Sequence, residues 1–244
     1  MSLNDYLIVP DWPVPANVRA MQTTRQGGVS ASPYASLNLG DHVGDASLCV
    51  ARNRMLLNRL LPSEPVWLNQ VHGADVVDAD RAGCLSAADA SVARHSVCVV
   101  MTADCLPVLL CDVQGTVVAA VHAGWRGLAA GVIEAAVGKM QAAPQNLMAW
   151  LGPAIGQSAF EVGEEVRAAF VASDEAAAAA FIPGKPGKYQ ADIYALARLR
   201  LNALGISRVY GGDRCTFGEA EQFFSYRRDG VTGRQGTFIW LESR

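Results

Sequence analysis

The sequence predicts an α+β fold in a single domain, with sheets packed together and helices outside. Three observations carry this reading. Strand-like and helix-period segments follow one another in a mixed order, neither a regular strand–helix alternation nor an all-β pattern. No linker divides residues 1–244, and no internal repeat recurs at a fixed period. Of the 244 residues 51% are hydrophobic, which is enough to fill one large core.

The elements follow in order. Residues 17–24 read as a strand, 25–28 as a turn and 36–42 as a polar loop. A helix is expected over 46–61, capped by Asp45, with Val50, Met55, Leu56, Leu57, Leu60 and Leu61 on its apolar face and Pro62 and Pro65 as its stop. Short strands at 66–71 and 74–77 bracket His72-Gly73 in a hairpin-like arrangement. Segments 96–101, 108–111 and 116–121 are β-rich, and the last ends at His122. Leu128, Val132, Ile133, Ala136, Val137 and Met140 fall at helical spacing over 128–141. A strand at 147–151 closes on Gly152–Gly156, and helical signals return over 161–180, where Ala176–Ala180 reads as a solvent-facing helix. Residues 183–187 form a loop. Asp192 is the expected N-cap of a helix reaching Leu204, with Gly205 as its stop. Strands at 209–210 and 238–241 complete the chain.

Bulk properties exclude several function classes. The net charge is −3 and the basic residues do not cluster, which argues against nucleic acid or an anionic membrane as partner. No signal peptide is evident in the first ten residues, and no apolar run reaches the length of a transmembrane helix. The six cysteines include no CxxC pair, and several sit in apolar strand-like runs, the pattern of reduced thiols in a cytoplasmic protein. A small-molecule substrate fits these properties.

Two segments concentrate chemistry. One is Asn69-Gln70-Val71-His72-Gly73; the other runs from Thr102-Ala103-Asp104-Cys105-Leu106-Pro107 to Val121-His122-Ala123-Gly124-Trp125-Arg126-Gly127. His72, Cys105 and His122 are too far apart for a zinc finger, so a shared site requires convergence through the fold. Two imidazoles and one thiolate with an open fourth position would suit a soft or borderline transition metal. The alternative for each residue taken singly is an ordinary core or surface position. Gly124-Trp125-Arg126-Gly127 leads from a strand into a helix and would favour an anion, phosphate or carboxylate; an ordinary strand-to-helix turn is the alternative. Asp104 would orient a ligand imidazole or move a proton, unless it is a strand-end turn residue. Asp89, Glu161 and Glu164 are weaker acid–base candidates. Phe223–Arg228 joins aromatics to two arginines and would line a pocket for a planar base, or else form a core edge. His95 stands alone, and Cys84 has no basic neighbour to lower its pKa.

These segments resemble the YfiH family, also called the laccase-domain or polyphenol-oxidase-like family. Thr23–Ser30 and Tyr34–Asp45 look like its amino-terminal signature, with Asn53-Arg54 following. Asn69–Gly73, Thr102–Pro107 and His122–Gly127 look like its metal-site motifs, and Gly152–Gly156, Glu161–Gly163 and Phe223–Arg228 like its later blocks. Ala93 and Ser158 depart from its pattern without touching the metal motifs. The resemblance implies a single-domain four-layer α/β/β/α fold. It implies zinc, or copper, on His72, Cys105 and His122. It also implies phosphorolysis of adenosine, inosine and methylthioadenosine and deamination of adenosine, with purine nucleoside and phosphate as partners. Family members have further been called copper-dependent polyphenol oxidases, and some act in peptidoglycan quality control, which would make this a precursor-editing hydrolase. On the nucleoside reading Asp104 carries a proton, Cys105 is both ligand and catalytic, and Arg126 with Gly124 holds phosphate. Arg25 and Arg54 are further anion candidates, and Phe224 would contact the base. A multicopper laccase needs many more imidazoles than the four histidines present, whereas a one-copper oxidase stays open.

Overall fold

The computed structural model describes residues 3–83 and 85–242, so the Cys84 candidate lies outside the described residues. In chain order the elements begin with β1 (Leu7–Ile8), β2 (Val18–Thr23), α1 (Ser47–Asn58), β3 (Leu68–Asn69), β4 (Val76–Asp78), β5 (Ser86–Ala87), β6 (Ala90–Ala93), β7 (Cys98–Thr102), β8 (Leu106–Asp112) and β9 (Val118–Ala123). They continue with α2 (Trp125–Ala130), α3 (Val132–Met140), β10 (Leu147–Leu151), β11 (Glu161–Gly163), α4 (Glu164–Val171), β12 (Phe181–Pro183) and β13 (Lys188–Ala191). The last are α5 (Ile193–Ala203), β14 (Arg208–Gly211), α6 (Tyr226–Asp229) and β15 (Gln235–Leu241).

Two sheets form the centre, the four-stranded one wholly antiparallel and the six-stranded one mixed, where the resemblance implied mixed sheets throughout. One has four strands in the order β1-β2-β15-β7, the other six in the order β14-β10-β8-β9-β6-β4. Strand periodicity divides their side chains into three cores. Cys98 and Val100 of β7, Ile239 of β15, Leu109 and Cys111 of β8 and Val118 and Ala120 of β9 fill the space between the sheets. The intervening residues, Val108, Leu110, Ala119 and Val121, face the other way and pack against Ile133 and Val137 of α3 and Leu196 and Leu201 of α5. Outside the four-stranded sheet, Val99 and Phe238 pack on Leu37, Leu57 of α1 and Trp67. The layers therefore run α/β/β/α, as the resemblance implied. Because β8 and β9 are covered on both faces, they read as continuous apolar runs.

Several local expectations are corrected. The helix over 46–61 is Ser47–Asn58, and Ala46 occupies its N-cap without a side-chain bond. Asp45 instead accepts hydrogen bonds from Ser30 Oγ at 2.6 Å and Asn38 Nδ2 at 2.9 Å, tying the amino-terminal loop together. The strands flanking His72 do not form a hairpin, because β3 pairs with β5 and β4 with β6, both parallel. Segment 161–180 divides into β11, α4 and a 3-10 helix over Glu175–Ala180, and burial of Ala177 and Ala180 overturns the solvent-facing reading. Asp192 does cap α5, accepting from Ala195 N at 2.9 Å, and Gly205 follows at φ +88°.

Candidate metal centre

Cys105 owes its place to a sheet crossing. β7 and β8 are consecutive in the chain but belong to different sheets, and residues 103–105 carry the chain between them with Asp104 at φ +89°. Cys105 immediately precedes β8. β9 pairs antiparallel with β8, setting Pro107 opposite His122 and Leu106 opposite Ala123. By the two-residue period, Cys105 continues the row of Leu109 and Cys111, and His122 that of Val118 and Ala120. Both ligand side chains therefore stand at the open end of the inter-sheet core. The third, His72, comes from the loop after β3 and sits at φ +61°.

Asp89 organises this arrangement. It precedes β6, the neighbour of β9, and its carboxylate is buried. Asp89 Oδ1 lies 2.8 Å from His122 Nδ1 and accepts the backbone N–H of His72 at 2.9 Å. Asp89 Oδ2 accepts from Gly73 N at 2.7 Å and Val71 N at 3.2 Å. One carboxylate thus fixes the His122 ring and holds the backbone of the His72 loop. With Nδ1 engaged by Asp89, His122 has Nε2 left for the cluster, a donor to a metal once its proton is lost.

The ligand atoms of His72, Cys105 and His122 lie within 4.8 Å of one another. Cys105 Sγ is 3.9 Å from His72 Nε2, and the imidazole rings meet edge-to-face with centroids 4.8 Å apart. Two glycines permit the approach. A Cβ on Gly124 would stand 3.0 Å from Cys105 Sγ and 3.1 Å from His72 Cδ2, and one on Gly127 would stand 2.6 Å from the Gly73 carbonyl oxygen. Burial opposes ionisation of Cys105, but the charge of His122 and hydrogen bonds from His122 and His72 outweigh it and bring the thiol down to about 6. Burial likewise opposes the charged form of His122, and the Cys105 and Asp89 anions overcome it, raising the imidazole to about 9. Asp89 is held below the usual carboxylate range: burial pushes it up, while the His122 and Gly73 hydrogen bonds pull it down further. A borderline metal ion suits this donor set of one ready thiolate and two imidazoles, one oriented from behind by a carboxylate.

Two cavities meet at the cluster. The larger and more polar one, of about 290 Å³, contains His72, Cys105 and His122, with His42, Gln70, Met101, Tyr226 and Arg234 among its walls. An apolar one of about 130 Å³ is lined by Trp125, Ile155, Phe160 and Ile193, and shares Cys105 and Tyr226 with the first.

Among the other candidates, Asp104 lines the apolar cavity, where Oδ1 accepts from Thr216 Oγ1 at 2.6 Å and Oδ2 from Arg227 N at 2.7 Å. Arg126 is exposed and stacks on Trp125, 4.5 Å from the ring centroid. Gly124 is the N-cap of α2 and serves the close approach of the ligands. Arg25 donates to the Ala35 and Ala220 carbonyls and lies over Phe224, which is fully buried within the protein. Arg54 donates to the Leu39 carbonyl and stacks on Trp67. Arg228 spends its guanidinium on the Thr216 and Phe223 carbonyls and on Asp229, whereas Arg227 donates only Nη1, to the Ala159 and Glu161 carbonyls, and lines the apolar cavity. Glu161 is in β11, Glu164 begins α4 exposed, and His95 is exposed away from the cluster. Sequence reasoning ranked Asp89 too low and missed Arg234, which no spacing connects to the ligands, whereas Tyr226 lies in the Phe223–Arg228 segment read as a pocket lining and does line both cavities. Gln70 lay within a recognised motif without being singled out.

A two-sheet sandwich with an open His-Cys-His cluster at one end defines a laccase-like domain with a candidate metal centre. The family model described as "Multi-copper polyphenol oxidoreductase laccase" matches residues 19–242, and the chain belongs to that family. A protein named purine nucleoside phosphorylase YfiH from Shigella flexneri is 58% identical, covering 96% of this chain and 98% of the relative. One named purine nucleoside phosphorylase PA4543 from Pseudomonas aeruginosa is 54% identical over the same shares. The crystal structure of Neisseria meningitidis protein NMB0706 superposes with a TM-score of 0.96 at 51% identity, covering 98% of this chain and all of that one. No helix among the described residues is long and apolar enough to cross a membrane.

Proposed function

We propose that the protein is a zinc-dependent purine nucleoside enzyme, catalysing phosphorolysis of adenosine, inosine and methylthioadenosine and deamination of adenosine. The observation that carries this reading is the His72–Cys105–His122 cluster in one cavity, with a second, apolar cavity adjoining it at Cys105. The names of the similar proteins support an enzyme of nucleoside phosphorolysis. A zinc ion on these three ligands supplies Lewis acidity and lowers the pKa of a water toward neutrality.

The chain's own residues do the remaining work. Asp89 keeps His122 in one tautomer and fixes the His72 loop, so the donors are set before substrate arrives. Trp125, Ile155, Phe160 and Ile193 give the purine faces an apolar, water-poor seat. Asp104 lines that seat and is the carboxylate there to carry a proton at the base.

The test is product analysis by mass spectrometry on a nucleoside panel, with and without phosphate, alongside bound-zinc measurement. Wild type is expected to release free base in phosphate and inosine from adenosine, and Cys105→Ala to lose zinc and both activities. Adenosine left unchanged by metal-loaded wild type, or an undiminished rate in Cys105→Ala, overturns the assignment.

The family description favours a second reading, copper-dependent oxidation of phenols, and the donor set also suits copper. An intense charge-transfer band on copper loading together with catalytic oxygen uptake would establish it.

A further inference from the structure

The reading above requires a seat for phosphate, and the arginines marked by sequence motifs do not provide one at the metal ligands. Arg25, Arg54 and Arg228 are committed to backbone carbonyls, and Arg227, held by Nη1 alone, lines the apolar cavity and not the one that contains all three ligands. Arg126 lies over its own neighbour, Trp125.

Arg234 is placed differently. It shares the polar cavity with His72, Cys105 and His122. Its backbone is pinned on both sides: Arg234 N donates to Asn38 Oδ1 at 2.9 Å, and its carbonyl accepts from Leu39 N at 3.1 Å. Gly40 leaves room for the side-chain stem, since a Cβ there would stand 2.8 Å from Arg234 Cγ. Nη1 donates to the carbonyls of Thr232 and Gly233 at 3.1 and 3.0 Å, fixing the head of the side chain. Nε and Nη2 have no hydrogen-bond partner among the described residues. A half-buried guanidinium, anchored along one edge with its other donors unspent, is preorganised for a planar two-point grip on an oxyanion.

The wall adds His42 and Tyr226 as donors, and its one anionic group among the described residues is the Cys105 thiolate, which a bound metal would take up. Gln70 spends both ends of its amide on Met101, its Nε2 donating to the carbonyl and its Oε1 accepting the N–H, each at 2.8 Å, so it brings no free acceptor. Thr102 adds a hydroxyl to the wall; it is 1% exposed and Oγ1 has no partner in the protein, so a χ1 rotation can turn it to the cavity without breaking a bond. Resting on the nucleoside phosphorolysis reading, we propose that the polar cavity is the phosphate seat, with Arg234 as its cationic arm and Thr102 as a supporting donor. The nucleoside base then occupies the apolar cavity, which adjoins the phosphate seat at Ala103, Cys105 and Tyr226, so that the two reactants lie side by side.

The test separates phosphate from nucleoside. In the zinc-loaded enzyme, Arg234→Gln and Arg234→Lys are expected to raise KM for phosphate by about tenfold or more while KM for inosine moves less than about twofold. Thr102→Val, which removes an unpartnered buried hydroxyl, is expected to weaken phosphate use without lowering the thermal midpoint. Calorimetric titration with inorganic phosphate supplies a readout independent of turnover: wild type binds, and Arg234→Gln binds about tenfold more weakly. A wild type that binds phosphate through Arg234 but leaves nucleosides intact sinks the nucleoside reading and keeps the seat. Unaltered phosphate binding in Arg234→Gln, or a loss confined to Arg126→Gln, overturns the seat and returns the anion to the turn after His122.

Discussion

Asp89 does more for the candidate site than any residue outside the ligand set. Its oxygens hold the His122 ring and three successive backbone N–H groups around His72. Asp89→Asn preserves the shape but removes the charge and turns one acceptor into a donor facing N–H groups. Metal affinity is expected to fall about 10–100-fold, measured by competition with a chromophoric chelator, with the far-ultraviolet circular dichroism unchanged. Unaltered affinity would show that the carboxylate does not orient the ligands. The ligands themselves were legible in the chain because few side chains bind borderline metals, and His72, Cys105 and His122 each stand in a distinctive motif. Asp89 was not, because its role depends on β6 lying beside β9, which places it next to His122. Arg25 and Arg54 drew attention through their charge, and charge in a sequence does not reveal which carbonyls consume it.

At the scale of elements, the site needs two strand ends and a helix start to come closer than side chains usually allow. Gly124 is where the backbone comes closest to the ligand side chains, as β9 hands over to α2 beside Cys105 and His72. Gly124→Ala places a methyl group at 3.0 Å from Cys105 Sγ and 3.1 Å from His72 Cδ2. Bound zinc per protein is expected to drop while the metal-free melting temperature stays within a few degrees, since the strain falls on the ligands and not on a core. Full zinc occupancy in that variant would mean the cradle has slack. The elements whose signals are local were readable: α3 from its apolar spacing, although the single helix expected over 128–141 breaks at Gly131 into α2 and α3, α5 from the Asp192 cap and Gly205 stop, and β8 and β9 from their apolar runs. The sheet around β13 was not, because β11 and β12 are short and stabilised by pairing with a strand farther along the chain. The pairing of β3 and β4 failed for the same reason, since proximity in sequence suggested a hairpin and each strand found a parallel partner instead.

For the whole molecule, the three ligands come from places that the cores do not hold together equally well. His122 is buried in a central strand, Cys105 sits where the chain passes between the sheets, and His72 is exposed on a loop tied chiefly to Asp89. An ion bound by all three would join this loop to both sheets at the open end of the sandwich. Because such a site exists only in the folded chain, binding stabilises the fold by linkage, about 2.7 kcal/mol at a free-metal level of 100 times Kd. For a chain of this length that is a shift of about 5–10 °C. Chelation of the zinc-loaded protein is therefore expected to lower its thermal midpoint by about that amount, followed by scanning calorimetry. Cys105→Ala should melt at one temperature with or without chelator, near that of chelated wild type, because a half-buried thiol replaced by a methyl at a cavity edge removes little packing. A wild type indifferent to chelation would show that the cluster does not couple metal to the fold. An equal shift in Cys105→Ala would place the stabilising metal somewhere other than His72, Cys105 and His122.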